Sequence, residues 1–117
     1  MPNQHSNEDE KRYDGRREGY AVIVTVNGRR LNTRQDLWNH SPTGFEWGYG
    51  GSGPAQLALA ILADHCRNDE QALNLYQRFK WAVIAELPHR SWMLTSQHID
   101  LGLQKLRDTE PILEGVA

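Results

Sequence analysis

The feature that most constrains this chain is a glycine-rich turn over residues 48–53, which leads directly into an apolar run. Pro54 suits the first position of a helix, because the N–H that proline lacks would have no partner there, and Gly53 can serve as N-cap. Residues 57–63 read LALAILA, which is apolar on every side of a helix and predicts nearly complete burial. We therefore expect a central helix that begins near Pro54 and is covered by the rest of the chain.

The size and charge of the chain narrow the classes of protein to which it can belong. Its 117 residues match the size of one domain, and 38% hydrophobic residues are enough for a core. A net charge of -2 argues against general nucleic-acid binding. The single cysteine, Cys66, excludes an intrachain disulfide. Since no secretory signal and no apolar run of ~20 residues is found, we predict a cytoplasmic protein without a membrane span.

The first half of the chain predicts β structure. Residues 20–26, YAVIVTV, are rich in β-branched side chains, and Asn27-Gly28 is a dipeptide typical of a tight hairpin turn, with the return over residues 29–31. Further on, three aromatic residues alternate with Glu46, Gly48 and Gly50, which predicts a short strand with the rings on one face. These residues are Phe45, Trp47 and Tyr49.

Two interpretations of the aromatic strand are open. In the first, the three rings form a lid over the central helix, and Trp38 and Trp92 complete the core. In the second, the rings stay partly exposed and form a stacking platform.

The second half of the chain predicts two more helices and an edge strand. Asn68 or Asp69 caps a helix that ends near Leu87, because the following proline disfavours helical geometry there. Residues 91–94 form an edge strand, and Thr95 or Ser96 caps the last helix. The inward stripes of the two helices are Ala72, Tyr76, Phe79, Val83 and Leu87 in the first, and Ile99, Leu103 and Leu106 in the second.

The order of strands first and helices afterwards indicates a small single domain of the α+β class. An N-terminal β-hairpin and a short aromatic strand are expected to pack on three helices, of which the central one is buried. We place the domain at residues 13–108, between a disordered tail over residues 1–12 and a C-terminal tail over residues 109–117.

The glycine turn has two interpretations. Gly48, Gly50 and Gly53 fit the spacing G-x-G-x-x-G, but no parallel strand follows the helix, so a dinucleotide-binding fold is not indicated. Free N–H groups at a helix N-terminus still favour an anion, and adjacent aromatic rings suit a nucleotide. The alternative is that the glycines serve a tight connection for steric reasons alone. The candidate ligand contacts are Gly50, Gly51, Ser52, Gly53, Gln56, Trp47 and Tyr49.

No catalytic residue, metal site or cofactor is predicted. The five histidines lack the i, i+3 or i, i+4 spacing of a helical zinc site. Asp64 and His65 are adjacent on a helix and point in different directions. Asp36, His40 and Ser41 have the residue types of a hydrolytic triad, but neighbouring loop residues rarely adopt the geometry that a triad requires, so we interpret them as capping and turn-forming residues. We interpret Cys66 as a packing residue.

Residues 39–61, NHSPTGFEWGYGGSGPAQLALAI, together with YQRFK at 76–80 and WMLT at 92–95, resemble a domain-of-unknown-function family of small prokaryotic proteins. The resemblance covers about residues 13–106. It implies occurrence on plasmids, phages and other mobile elements, and it brings no catalytic residues. Proteins of this kind and size are often interaction factors, including inhibitors of host defence.

We therefore expect a non-enzymatic accessory or protein-interaction protein with an unidentified protein partner. The alternative is a binder of a nucleotide or another small anion at the glycine turn. The first function predicts an exposed apolar or mixed-charge patch on one face of the molecule, and the second predicts an open cleft at Ser52.

Overall fold

The structure is a computed structural model that describes residues 10–109. It confirms the α+β class, with a four-stranded sheet and three helices. In chain order the elements are β1 (Arg12–Glu18), β2 (Ala21–Val26), β3 (Arg29–Arg30), α1 (Ser52–Cys66), α2 (Asp69–Ala82), a 3₁₀ turn (Ile84–Glu86), β4 (Ser91–Thr95) and α3 (Ser96–Thr109). None of the described helices is long and apolar enough to cross a membrane.

The sheet is antiparallel, with the strand order β3-β2-β1-β4. The predicted hairpin is confirmed as β2–β3, with positive φ at Asn27 and Gly28, and the predicted edge strand is confirmed as β4. Strand β1, which lies between β2 and β4, was not predicted, since Tyr13 is the only apolar side chain in its sequence, RYDGRRE. At Gly15 a Cβ would overlap the ring of Trp92 on β4, so glycine is needed for this pairing.

The central helix is confirmed as α1, in which residues 53–63 are all buried. Its predicted start was two residues late, because the helix begins at Ser52 and Gly51 is the N-cap. Gly51 caps without a side chain, and its carbonyl accepts the N–H of Ala55 at 3.0 Å. The glycine turn therefore continues directly into the helix.

Helices α2 and α3 keep their predicted caps. The side chain of Asn68 accepts the N–H of Gln71, and Thr95 Oγ1 accepts the N–H of His98 at 3.2 Å. Helix α2 ends at Ala82, earlier than predicted, and a 3₁₀ turn leads to Leu87, which is extended as its following proline requires.

The predicted aromatic strand is wrong. The segment from Phe45 to Tyr49 has no strand pairing, and positive φ values at Gly44 and Gly48 interrupt the extended geometry. The three rings therefore do not share a face, since Trp47 is buried while Tyr49 is 53% exposed. Trp92 joins the core as predicted, but Trp38 does not, because its side chain is 59% exposed.

The predicted tails fall largely outside the described residues. Residues 1–9 and 110–117 lie outside them, whereas Lys11 and Arg12 are held by the folded domain. Lys11 Nζ pairs with Asp64 at 3.0 Å, and Arg12 begins β1. At the other end, α3 continues to Thr109.

Candidate functional site: the glycine turn and the aromatic strip

The glycines of the turn each give room to a neighbouring group. A Cβ at Gly50 would overlap the indole of Trp81, and one at Gly51 would lie 2.5 Å from the ring of Tyr49. A Cβ at Gly53 would lie 2.6 Å from the Cβ of Glu46. These contacts supply a steric reason for glycine at all three positions, and they cover the helix N-terminus with two aromatic rings.

Gln56 does not face the turn as a ligand anchor would. Its side chain is fully buried, and its Oε1 accepts the N–H groups of His40 and Ser41 at 2.8 and 3.2 Å. Its Nε2 donates to the carbonyls of Thr33 and Trp38 at 2.7 and 3.0 Å. Because both donors and both acceptor positions of the amide are in use, Gln56 fastens the loop over residues 33–41 to α1.

Trp47 is also withdrawn from the surface. It is buried, its Nε1 donates to the carbonyl of His89 at 2.9 Å, and the guanidinium of Arg17 lies 4.5 Å from its ring centroid. Arg17 is held in turn by two hydrogen bonds to Glu46, at 3.0 and 2.8 Å, which lower the pKa of that carboxyl. The pocket of about 320 Å³ beside these residues is therefore lined by a charge pair that is already satisfied.

Of the seven ligand contacts predicted, the structure leaves four accessible and buries three. Ser52 and Tyr49 are exposed and Gly50 and Gly51 are half-buried, while Gly53, Gln56 and Trp47 are buried. The predicted anion site is thus brought together only in part.

Mainly aromatic side chains follow one another from the loop before α1 to the end of α2. Trp38 stacks on His40 with ring centroids 5.7 Å apart, and the His40 ring meets that of Tyr76 at 5.3 Å and exchanges a hydrogen bond with its hydroxyl. Lys80 lies one turn beyond Tyr76 and places its Nζ 4.5 Å from the ring centroid of Trp81. The row ends where the rings of Trp81 and Tyr49 cover the glycine turn. We call these residues the aromatic strip: Trp38, His40, Tyr76, Lys80, Trp81 and Tyr49.

The strip is apolar at its two ends and carries its charge in the middle. Trp38, Tyr49 and Trp81 are 59%, 53% and 60% exposed. Burial, and secondarily the charge of Lys80, lower the pKa of His40 below its ordinary value of 6.5, so this imidazole is neutral at pH 7. Lys80 therefore supplies the positive charge of the strip.

The sequence contained a signal for part of the strip. Trp81 follows Phe79 by two positions, which turns it about 200° round the helix and away from the inward stripe. Such an off-stripe tryptophan is expected at the surface. Nothing local indicated that Trp38 would be exposed or that Lys80 would be buried, since both depend on how the loop over residues 33–41 lies against α2.

The catalytic groups considered from the sequence are engaged elsewhere. Asp36 pairs with Arg34 at 3.0 Å, which lowers the pKa of its carboxyl, and Ser41 is buried. His65 pairs with Asp100 at 2.7 Å rather than with Asp64.

The remaining acidic and nucleophilic groups are also held by neighbours. Asp64 accepts the hydroxyl of Tyr13 at 2.6 Å, and burial raises the pKa of the Cys66 thiol. No cluster of His, Cys, Asp or Glu that could hold a metal occurs between residues 10 and 109.

A family model matches residues 13–105 of the chain, and its description is a family of unknown function (DUF6166). The match covers the sheet, the glycine turn, the aromatic strip and most of α3. Comparison with curated proteins and with solved structures found no match.

Proposed function

The chain belongs to this family of unknown function, and we propose that it is a non-enzymatic accessory protein that binds another protein through the aromatic strip. The proposal is drawn from the surface of the protein, since the family description gives no activity. The observation that carries the proposal is the exposure of Trp38, Tyr49 and Trp81 within the aromatic strip. A role as an inhibitor of a host defence protein, encoded on a mobile element, is a more specific form of the same proposal.

Exposed aromatic surface is unfavourable in water and becomes favourable when a partner covers it. A tryptophan or tyrosine side chain can bury about 150–250 Å² of mainly apolar area. At about 25 cal/mol per Å², covering three half-exposed rings supplies several kcal/mol for association. Tryptophan and tyrosine are accordingly enriched among the residues that dominate binding energy at protein interfaces.

The strip is also held in place before any partner arrives. Trp38 and His40 lie on a loop that the buried Gln56 side chain fastens to α1, and Tyr76 and Lys80 lie on α2. Because the side chains and the loop are already ordered, binding to this surface costs less conformational entropy than binding to a flexible one.

The alternative function, a binder of a nucleotide or other anion at the glycine turn, is supported by fewer contacts. Ser52 and Tyr49 remain accessible there, but Gln56 is engaged and the rings of Trp81 and Tyr49 cover Gly50 and Gly51. A thermal-shift screen with nucleotides, phosphate and sulfate tests it, because a ligand at 100 times its Kd stabilises the protein by about 2.7 kcal/mol.

The proposed function is tested with a photocrosslinking amino acid placed at three positions. Positions 38 and 81 report on the strip, and position 20 is the control, because Tyr20 is a fully exposed aromatic residue on the β1–β2 turn. We expect one protein from host-cell extract to crosslink at positions 38 and 81 and not at position 20.

The protein captured in this way is then purified and titrated. A Trp38→Ala, Trp81→Ala double variant should bind it at least 2 kcal/mol more weakly than wild type, as expected for central interface residues, while Tyr20→Ala should bind it unchanged. Equal crosslinking at all three positions, or equal affinity of the double variant, would refute the proposal.

A further inference from the structure

Lys80 is a largely buried residue whose ammonium group reaches solvent and has no carboxylate partner among residues 10–109. The residue is 8% exposed, and within residues 10–109 no acidic side chain lies within ion-pair distance of it. Other cations that are largely withdrawn from solvent are paired, as Lys11 is with Asp64 and Arg17 with Glu46. The contact that the structure gives the Lys80 ammonium is the face of the Trp81 ring, 4.5 Å from the ring centroid.

The ammonium group of Lys80 still reaches solvent, since among the described residues the buried side-chain nitrogen without a hydrogen-bond partner is Nε1 of Trp92. A partner that covers the strip would remove this ammonium from water, a cost that the ring face of Trp81 does not restore and that a carboxylate within hydrogen-bond distance offsets in large part. Lys80 lies in the middle of the aromatic strip, between His40 and Trp81, so a partner that covers Trp38 and Trp81 also covers Lys80 and has to supply that carboxylate.

We propose that Lys80 is the anchor for a carboxylate of the partner protein, presented by an acidic side chain with apolar neighbours that cover Trp38 and Trp81. This inference rests on the proposed function and deepens it by naming the chemistry of the partner segment. The charge of the strip is complementary to an acidic residue, and the exposed indoles on either side are complementary to aliphatic or aromatic residues next to it.

A nucleic acid fits this surface less well than an acidic protein segment. Binding along a phosphate backbone requires several cations in a row, and the net charge of the chain is -2. The exposed arginines of the sheet, Arg12 and Arg16 on β1 and Arg29 and Arg30 on β3, lie on other elements than the strip. A single lysine between aromatic rings therefore suits one carboxylate.

The inference is tested with displayed random peptides of twelve residues, selected on the full-length protein. We expect wild type to enrich peptides with Asp or Glu beside apolar residues, and the Trp38→Ala, Trp81→Ala double variant to enrich none. An enriched peptide and its Glu→Gln or Asp→Asn counterpart are then titrated against wild type, Lys80→Met and Lys80→Arg. Arg29→Gln serves as the control, because it removes one positive charge away from the strip.

In wild type, loss of the peptide carboxylate should weaken binding about 30-fold or more, the effect of removing one member of a buried charge pair. In Lys80→Met, loss of the peptide carboxylate should change the affinity less than threefold. In Lys80→Arg, the ratio between the affinities of the two peptides should return at least part of the way to that of wild type. Arg29→Gln should behave as wild type. A thermal melt of Lys80→Met completes the test, since loss of an ammonium group that makes no ion pair in the free protein is expected to leave Tm unchanged or to raise it.

The outcomes separate the two proposals. If wild type enriches no peptide beyond the double variant, the proposed function and the inference both fail. If wild type enriches apolar peptides without an acidic residue, or if the coupling between Lys80 and the carboxylate is less than tenfold, the proposed function stands and the inference is overturned. Tighter binding of a fluorescein-labelled thymidine 20-mer than of the peptides overturns the inference in favour of a nucleic acid.

Discussion

Replacement of Gln56 by Met should destabilise the protein more than a change of one nearly isosteric side chain ordinarily does. The amide of Gln56 makes four hydrogen bonds to the backbone of the loop over residues 33–41, all from a fully buried position on α1. Methionine fills a similar volume but provides none of them, so the change isolates the polar contribution.

The magnitude follows from the value of single hydrogen bonds. Each contributes about 0.5–1.5 kcal/mol net, so the loss of four predicts a decrease of about 2–6 kcal/mol in the free energy of unfolding. Since the released loop groups can partly turn to water, we expect the lower half of that range, about 2–4 kcal/mol. For a domain of this size each kcal/mol corresponds to about 4–8 °C in Tm.

The matched control is Gln35→Met. Gln35 is half-buried and donates one hydrogen bond, to the carbonyl of Ser41 at 2.8 Å. Its replacement should cost about 1 kcal/mol. Urea denaturation followed by circular dichroism measures both variants, and hydrogen exchange should show that the amides of His40 and Ser41 lose protection in Gln56→Met alone. A cost for Gln56→Met no larger than that of the control, or unchanged protection of those amides, would refute the reasoning.

Three further predictions concern the sheet, the Arg17–Glu46 ion pair and the aromatic strip. Gly15→Ala should destabilise the protein by about 1–3 kcal/mol in urea denaturation, because its Cβ overlaps the ring of Trp92; an unchanged midpoint would contradict this. Arg17 lowers the pKa of Glu46 below its ordinary value of 4.5, so the ion pair stabilises the folded protein above pH 4.5. This stabilisation is lost as the pH falls through the lowered pKa of Glu46. Glu46→Gln should weaken the dependence of the free energy of unfolding on pH in this range. Trp38→Ala should lower the free energy of unfolding in urea denaturation by less than about 2 kcal/mol, below the about 3–5 kcal/mol of a core tryptophan, since 59% of the residue is exposed; a loss in the core range would assign the ring to the core.

Parts of the candidate site were accessible to sequence reasoning and parts were not. The glycine turn and the helix that follows it could be located, because glycine, proline and an all-apolar run act locally. The surroundings of Gln56 and Trp47, both predicted as ligand contacts, could not be derived from the sequence, since their neighbours in space come from the loop over residues 33–41 and from His89. Whether a polar side chain near a helix N-terminus faces a ligand or a loop is decided by contacts that no local pattern contains.

The sequence by itself determined the elements whose causes lie within a few residues. The burial of α1, the Asn27-Gly28 turn and the caps at Asn68 and Thr95 were predictable from side-chain chemistry and spacing alone. The turn and the caps depend on backbone geometry and hydrogen bonds between near neighbours, whereas the burial of α1 follows from a helix that is apolar on every side and has to be covered by other parts of the chain.

Contacts between distant parts of the chain make the polar segment RYDGRRE the inner strand β1, and they bury Lys80 while Trp38 stays exposed. Strand pairing joins residues far apart in the sequence, as Tyr13 with Leu94, and its stability comes from both neighbouring strands rather than from the propensity of β1 itself. Burial likewise depends on which surface covers a side chain. The residues of the aromatic strip come from two loops and one helix that meet only when the chain has folded.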